Sequence, residues 1–262
     1  MAFAPGHSTY PVVPDFRVAV ATGQVHHYES FRKFAMNPDI SAGTEQIWPL
    51  GTMQILPTVA ATASVVSDSG TDTLLGVGAR TILIAGLDSN FNHVSEEVEM
   101  DGLTPVVTTQ EFFRIFRVIV ERVGTSEVNT GNITISIAGN PQAYVESEEG
   151  QTHISQYTVP AGFSLVVSDL FATAGRVQNA DLSFQFQTRA WTGTEYLSWR
   201  SLVDAFPYEG TLHLFATPFV IPSKSDIRAI ATSTGANLNL SVEYHGYLVR
   251  DNQIKAERSP SS

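Results

Sequence analysis

Apolar and polar residues alternate with a period of two along much of the second half of the chain. Leu182, Phe184 and Phe186 are separated by Ser183 and Gln185. Leu238, Leu240, Val242 and Tyr244 are separated by Asn239, Ser241 and Glu243, and Leu212, Leu214 and Ala216 by His213 and Phe215. Alternation of this kind predicts strands with one buried face. His153–Val159, Phe163–Ala172 and Ile227–Ala231 read as further strands, punctuated by turns at Pro160-Ala161-Gly162 and Ile221–Asp226. About seven or eight strands in roughly 100 residues is the density of a β-sandwich, a jelly roll included.

The first half carries the same signature less regularly. Thr81–Ala85, Val94–Met100 and Asn132–Ala138 are predicted strands, as are Arg17–Val25 and Met53–Leu56. Phe112–Val123 fits a helical stripe at Phe112, Ile115, Phe116, Ile119 and Val123. Its aromatic and β-branched content favours a strand. No fixed-period repeat is visible, which argues against a propeller or solenoid.

Two breaks divide the pattern. Pro5, Pro11 and Pro14 deny both helix and ladder hydrogen bonds, so residues 1–30 read as an extended arm and first strand. Tyr144–Gln151 collects Glu146, Glu148, Glu149 and Gly150, a solvated segment placed between β runs. The predicted fold is therefore all-β: two β-sandwich, jelly-roll-like domains, at 31–145 and 146–250, behind the arm. A flexible tail at 251–262 follows.

Charge removes several functions. The chain has 15 basic and 26 acidic residues, a net charge of −11. Neutralising phosphates requires a basic face, so neither nucleic acid nor an anionic membrane surface is an expected partner. Absence of cysteine removes disulfide scaffolds, thiolate metal sites and cysteine nucleophiles. No apolar run approaches the roughly 18 residues of a membrane span. The stretch MAFAPGHSTYPVVPDF lacks the charged and apolar regions of a signal peptide.

Candidate chemistry is sparse. Asp88, Asn90, Asn92 and Glu99 place oxygens at the first, third, fifth and twelfth positions of a calcium loop. His93 stands where that loop needs glycine, and the flanks read as strands. The competing reading is a hairpin turn in which Asp88 and the asparagines bond their own backbone. His26 and His27 would point to opposite faces of a strand; His213 and His245 lie on separate strands, and the sequence places no third ligand beside them. Trp191, Tyr196 and Trp199 cluster around Thr192-Gly193-Thr194, either as a sugar-stacking platform or as core and interface anchors. No nucleophile elbow, phosphate loop or dinucleotide fingerprint is present, so no catalytic residue and no cofactor is predicted.

One segment carries a likeness. Arg32, Phe34, Asn37-Pro38-Asp39-Ile40, Thr44-Glu45, Ile47 and Trp48 form a spaced motif, and Gly78–Leu87 with Val94–Val98 forms another. With Gly150-Gln151-Thr152, Tyr157–Gly162 and Pro222–Arg228, they resemble structural proteins of tailed-bacteriophage virions. The resemblance covers roughly residues 31–249. It implies a non-enzymatic particle component on the capsid surface, made in the host cytoplasm: a decoration or cement protein, as a homotrimer bound to the major capsid protein. It further implies Phe31, Arg32, Phe34 and Trp48 as interface anchors. The alternative it leaves is a tail, baseplate or adaptor component contacting host glycans.

Overall fold

The computed structural model describes residues 15–175, 181–207, 210–213, 218–235 and 238–254. Among the described residues the architecture is all-β, with one short α-helix, α1 (Phe16–Ala21), ahead of the first strand and a single 3-10 turn at Asp251–Gln253. The strands in chain order are β1 (Tyr28–Ile40), β2 (Gly43–Gln46), β3 (Ala61–Ser67), β4 (Ala79–Leu87), β5 (His93–Glu99), β6 (Val106–Phe112), β7 (Arg114–Val123), β8 (Ile133–Ile137) and β9 (Asn140–Val145). They continue with β10 (Tyr157–Thr158), β11 (Phe163–Ala174), β12 (Leu182–Arg189), β13 (Arg200–Ala205), β14 (Gly210–His213), β15 (Phe219–Ile221), β16 (Asp226–Ser233) and β17 (Leu238–Arg250).

Four antiparallel sheets make two sandwiches. In the larger one, β1-β17-β11-β14 faces β13-β12-β16-β2; β15 shares the β14 edge and β10 the β2 edge. Counting β14 and β15 as one interrupted strand and setting β10 aside leaves eight strands. Their sheet orders are then 1-8-3-6 and 2-7-4-5, the double Greek key of a jelly roll. Its core is one contiguous apolar layer in which Leu165, Leu170, Phe184, Phe186, Leu240 and Tyr244 interdigitate. The alternation read in Leu182–Phe186 and Leu238–Tyr244 faces this layer, odd positions out and even positions in.

The smaller sandwich, β6-β3-β8-β9 over β5-β4-β7, is inserted between the second and third jelly-roll strands. Ile82, Ile84, Val118, Ile133 and Ile135 fill its core. This changes the predicted division at 31–145. Strands β1 and β2 belong to the jelly roll, because β1 pairs along its length with β17 (Tyr28↔Val249 to Ile40↔Leu238) and β2 pairs with β16. The inserted unit begins at β3. Pairings across some 200 positions leave no mark in local sequence, so the acidic break at 144–151 showed only where the insert ends.

Three predicted strands are corrected; of His153–Val159 only Tyr157–Thr158, β10, is strand. Arg17–Val25 is helical to Ala21, as part of α1: Asp15 Oδ1 accepts from Arg17 N at 2.8 Å and caps the first turn, and Phe16 packs edge-on against Tyr28 and Tyr247. A cap and docking outweigh weak β propensity in so short an element. Met53–Leu56 has no ladder partner; side chains hold it, Gln46 Nε2 donating to Gln54 Oε1 (2.5 Å) and Gln54 Nε2 to the Gln142 carbonyl (2.8 Å). Phe112–Val123 is strand, as its composition predicted. The proline arm lies outside the described residues up to position 14, as does the tail from position 255.

Insert and jelly roll are bolted together by buried polar groups. Lys33, on the inner face of β1, donates to the Phe116 carbonyl on β7. Burial, with Arg117 nearby, lowers its pKa to about 7. Inside the insert, Asp72 accepts from Ser67 Oγ (2.6 Å) and from the backbone of Ala79 (2.7 Å), Thr130 (2.9 Å) and Gly131 (2.9 Å). Burial opposes its ionisation, but these donors prevail and hold the carboxyl below its usual range.

Candidate functional site

The segment carrying the resemblance is a corner of the framework. Asn37 Nδ2 donates to Glu45 Oε2 (2.8 Å), and Glu45 Oε1 accepts from Ser41 N (3.1 Å). Trp48 Nε1 donates to the Thr52 carbonyl at 2.7 Å. These bonds turn the chain out of β1 in one sheet and into β2 in the other. Of the four expected anchors, Trp48 is only 1% exposed and sits in this corner, and Phe31 packs on Tyr157 and Tyr244 with centroids at 4.6 and 5.6 Å. Both are occupied by their own fold: Phe31 lies on the inward face of β1 with residues 33, 35 and 37, and Trp48 is held in the corner after β2. Arg32 and Phe34 point outward: Arg32 is exposed and ion-paired with Glu243, and Phe34 lies half-buried against His153.

The calcium-loop residues are not brought together. Asp88 Oδ1 accepts from the backbone of Asn90 (2.8 Å) and Asn92 (2.9 Å), closing the β4–β5 hairpin. Glu99 lies at the other end of that hairpin, opposite Thr81, while His93 opposes Leu87. Six residues of strand put it about 20 Å from the turn. Among the described residues no group of three acidic or histidine side chains is placed to hold a metal.

The aromatic cluster, in contrast, assembles into a site. Trp191 and Tyr196 form a bridged pair across the turn Thr192–Glu195. Thr192 N donates to the Glu195 carbonyl at 2.9 Å, and Gly193 takes φ +107, a conformation that suits glycine. The Trp191 and Tyr196 rings lie 4.9 Å apart, and Trp191 leans on Phe91 of the insert at 5.9 Å. A loop of the jelly roll is thereby fixed against the β4–β5 hairpin.

Beneath these rings lies a buried ion triad. Asp226, the first residue of β16, is fully buried. Its Oδ1 accepts from Arg114 Nε (3.0 Å) and Thr158 Oγ1 (2.6 Å). Oδ2 accepts from Arg114 Nη2 (3.1 Å), Arg189 Nε (2.9 Å) and Arg189 Nη2 (2.7 Å). Arg114 opens β7 of the insert, and its Nη1 also donates to the carbonyls of Pro57 and Phe113. The triad thus ties insert to jelly roll.

A third cation has no such partner among the described residues. Arg228 stacks on Trp199, guanidinium carbon 4.0 Å from the ring centroid, and Arg189 stacks on Tyr196 at 4.3 Å and on Trp199 at 4.7 Å. The Arg228 Nε donates to Gln187 Oε1 at 2.9 Å, its one hydrogen bond among the described residues. Burial, then the neighbouring Arg189, lowers its pKa to about 10. Burial and Asp226 push the Tyr196 phenol up; its hydroxyl lies near that carboxylate without meeting hydrogen-bond geometry. These groups surround a cavity of about 360 Å³ between the jelly roll and the insert, walled further by Leu56, Pro57 and Gln156. The aromatics were legible in sequence; the three arginines, drawn from positions 114, 189 and 228, were not.

Comparison with known proteins adds little. No protein-family model matches the chain, and no curated protein matches it. Solved structures of infectious bursal disease virus overlap it weakly. The Gx strain structure has 11% identity over 96% of this chain and 80% of that one, at a TM-score of 0.26. The VP2 subviral particle has 9% identity over 92% and 79%, at a TM-score of 0.27. Overlaps of this size carry no inference about role.

Proposed function

We propose that this chain is a non-enzymatic structural component of a bacteriophage particle, a capsid decoration or cement protein that binds the major capsid protein as a homotrimer. The observation that carries the reading is the jelly roll whose motif-bearing strand, β1, is a 13-residue edge strand. Jelly rolls serve as capsid domains among other uses, a fold-level analogy. A long edge is a template for pairing with another chain. The outward Arg32 and Phe34 stand beside that edge and offer the side-chain contacts, in place of the inward, partly buried Phe31 and the buried Trp48.

The experiment is to add purified chain to particles assembled without it and image the product. Density spread over the whole shell supports the reading. A single ring of copies on one axis makes the chain a tail or adaptor component instead, and no association at all refutes the particle role. Light scattering on the free chain tests the trimer separately.

A further inference from the structure

The cavity above the ion triad concentrates positive charge in a chain that is otherwise acidic. Three of the 15 basic residues, Arg114, Arg189 and Arg228, line it, against the buried Asp226 and an exposed Glu195 at the rim. Asp226 satisfies Arg114 and Arg189. It does not reach Arg228, which has no carboxylate within ion-pair distance among the described residues. A half-buried guanidinium with an amide as its one hydrogen-bond partner among the described residues is costly unless something else meets its remaining N–H groups. Stacking on Trp199 and the bond to Gln187 hold it in one orientation, so its free donors are aimed before any ligand arrives.

A second group at the wall is also incomplete. Gln156 is 2% exposed, and its Oε1 has no hydrogen-bond partner among the described residues. An acceptor of this kind calls for a donor, which a simple anion does not bring. Gln54, Thr58 and Thr194 add further neutral hydrogen-bonding groups, and Leu56 and Pro57 an apolar strip. Fixed cation, amides, hydroxyls and an apolar wall together match a ligand carrying one carboxylate, several hydroxyls and a C–H face. The volume lies at the lower end of the range for small-molecule pockets.

From these features we infer that the cavity is a binding site for an acidic sugar, a uronic or nonulosonic acid unit of a glycan, with Arg228 receiving the carboxylate and Gln156 a ring or side-chain hydroxyl. The site does not depend on the particle role proposed above: shell association and sugar binding are read by separate assays.

The test uses the full chain and intrinsic fluorescence, since two of the three tryptophans, Trp191 and Trp199, line the cavity. Methyl glucuronide and the methyl glycoside of N-acetylneuraminic acid are titrated beside their methyl esters and beside sodium sulfate. The expected result is saturable binding of at least one acid, with its ester weaker by about 10- to 100-fold, the worth of a charge-assisted hydrogen-bonded contact. Arg228→Gln should weaken the acid by a similar factor while leaving the melting temperature near that of the parent. The acid-against-ester comparison needs no variant, so it decides the matter even if Arg228→Gln fails to fold. Absence of acid binding overturns the inference, as does equal binding of acid and ester. Sulfate binding as tightly as the acids reduces the cavity to a plain anion site and overturns the sugar assignment. Undiminished binding in a folded Arg228→Gln places the ligand elsewhere.

Discussion

Replacing Asp226 by asparagine tests whether the triad is what joins insert to jelly roll. The carboxylate accepts five hydrogen bonds, two from Arg114, two from Arg189 and one from Thr158. Asparagine keeps the shape but removes the charge and turns one acceptor into an NH2 donor that faces guanidinium donors. Arg114 is then a 1%-exposed cation without a counterion. Breaking a buried pair from one side costs about 3–5 kcal/mol. For a chain of this size each kcal/mol moves the midpoint by about 2–4 °C, so Asp226→Asn should melt about 6–20 °C lower by calorimetry.

A control separates charge from packing. Arg189→Met removes the more exposed arginine and leaves the two-pronged Arg114–Asp226 contact intact, so its loss should be less than half as large. Arg114→Met in the Asp226→Asn background should cost far less than in the parent, since the cation it removes no longer has a partner. A drop below about 1 kcal/mol for Asp226→Asn, or additive losses in the cycle, would refute the reasoning.

Further perturbations follow from the same framework. Lys33→Met should raise stability at neutral pH. In the parent, the unfolded chain binds a proton that the folded chain has lost between pH 7 and 10.5, so stability climbs with pH across that window, and in the variant denaturant midpoints should be flat there. Asp72→Ala strands two buried backbone donors, at Ala79 and Gly131, and a part-buried one at Thr130, and should cost at least about 3 kcal/mol in urea unfolding. The folded-state pKa of Asp72 is depressed, so its contribution in the parent is full at neutral pH and disappears as pH falls through that value, below 3.8. Trp48→Ala should cost about 3–5 kcal/mol as a core truncation, and Arg32→Ala, whose side chain is 70% exposed, less than about 1 kcal/mol. The reverse order would return Trp48 to the role of surface anchor.

Much of the fold was legible because its signals are local. Alternation at Leu182–Phe186 and Leu238–Tyr244 named strands β12 and β17 and their buried faces, and β-branched content separated strand from helix at Phe112–Val123. What failed was everything set by partners far along the chain. Nothing between Tyr28 and Gln46 announces that β1 will pair with β17 and β2 with β16, so an insertion read as an N-terminal domain. Arg17–Val25 failed for the opposite reason: one capping aspartate and two aromatic contacts of Phe16 outweighed six residues of propensity.

The site divides along the same line. Trp191, Tyr196 and Trp199 stand within nine residues, and a Thr-Gly-Thr turn between them is enough to predict that at least two rings meet. The cations that give those rings a purpose come from three strands in two sandwiches. Arg189 and Asp226 face each other only because β12 and β16 pair in that register. A slip of one residue would turn Asp226 to the other face and leave Arg114 and Arg189 buried without a counterion. The triad therefore makes the wrong register costly as well as joining the two units. That same demand for one acidic partner per site explains why Arg228, two residues along β16 and on the same face, is left with an amide and an aromatic ring: Asp226 is already filled. An arginine that the fold supports but does not neutralise marks the place where a ligand's charge completes the site.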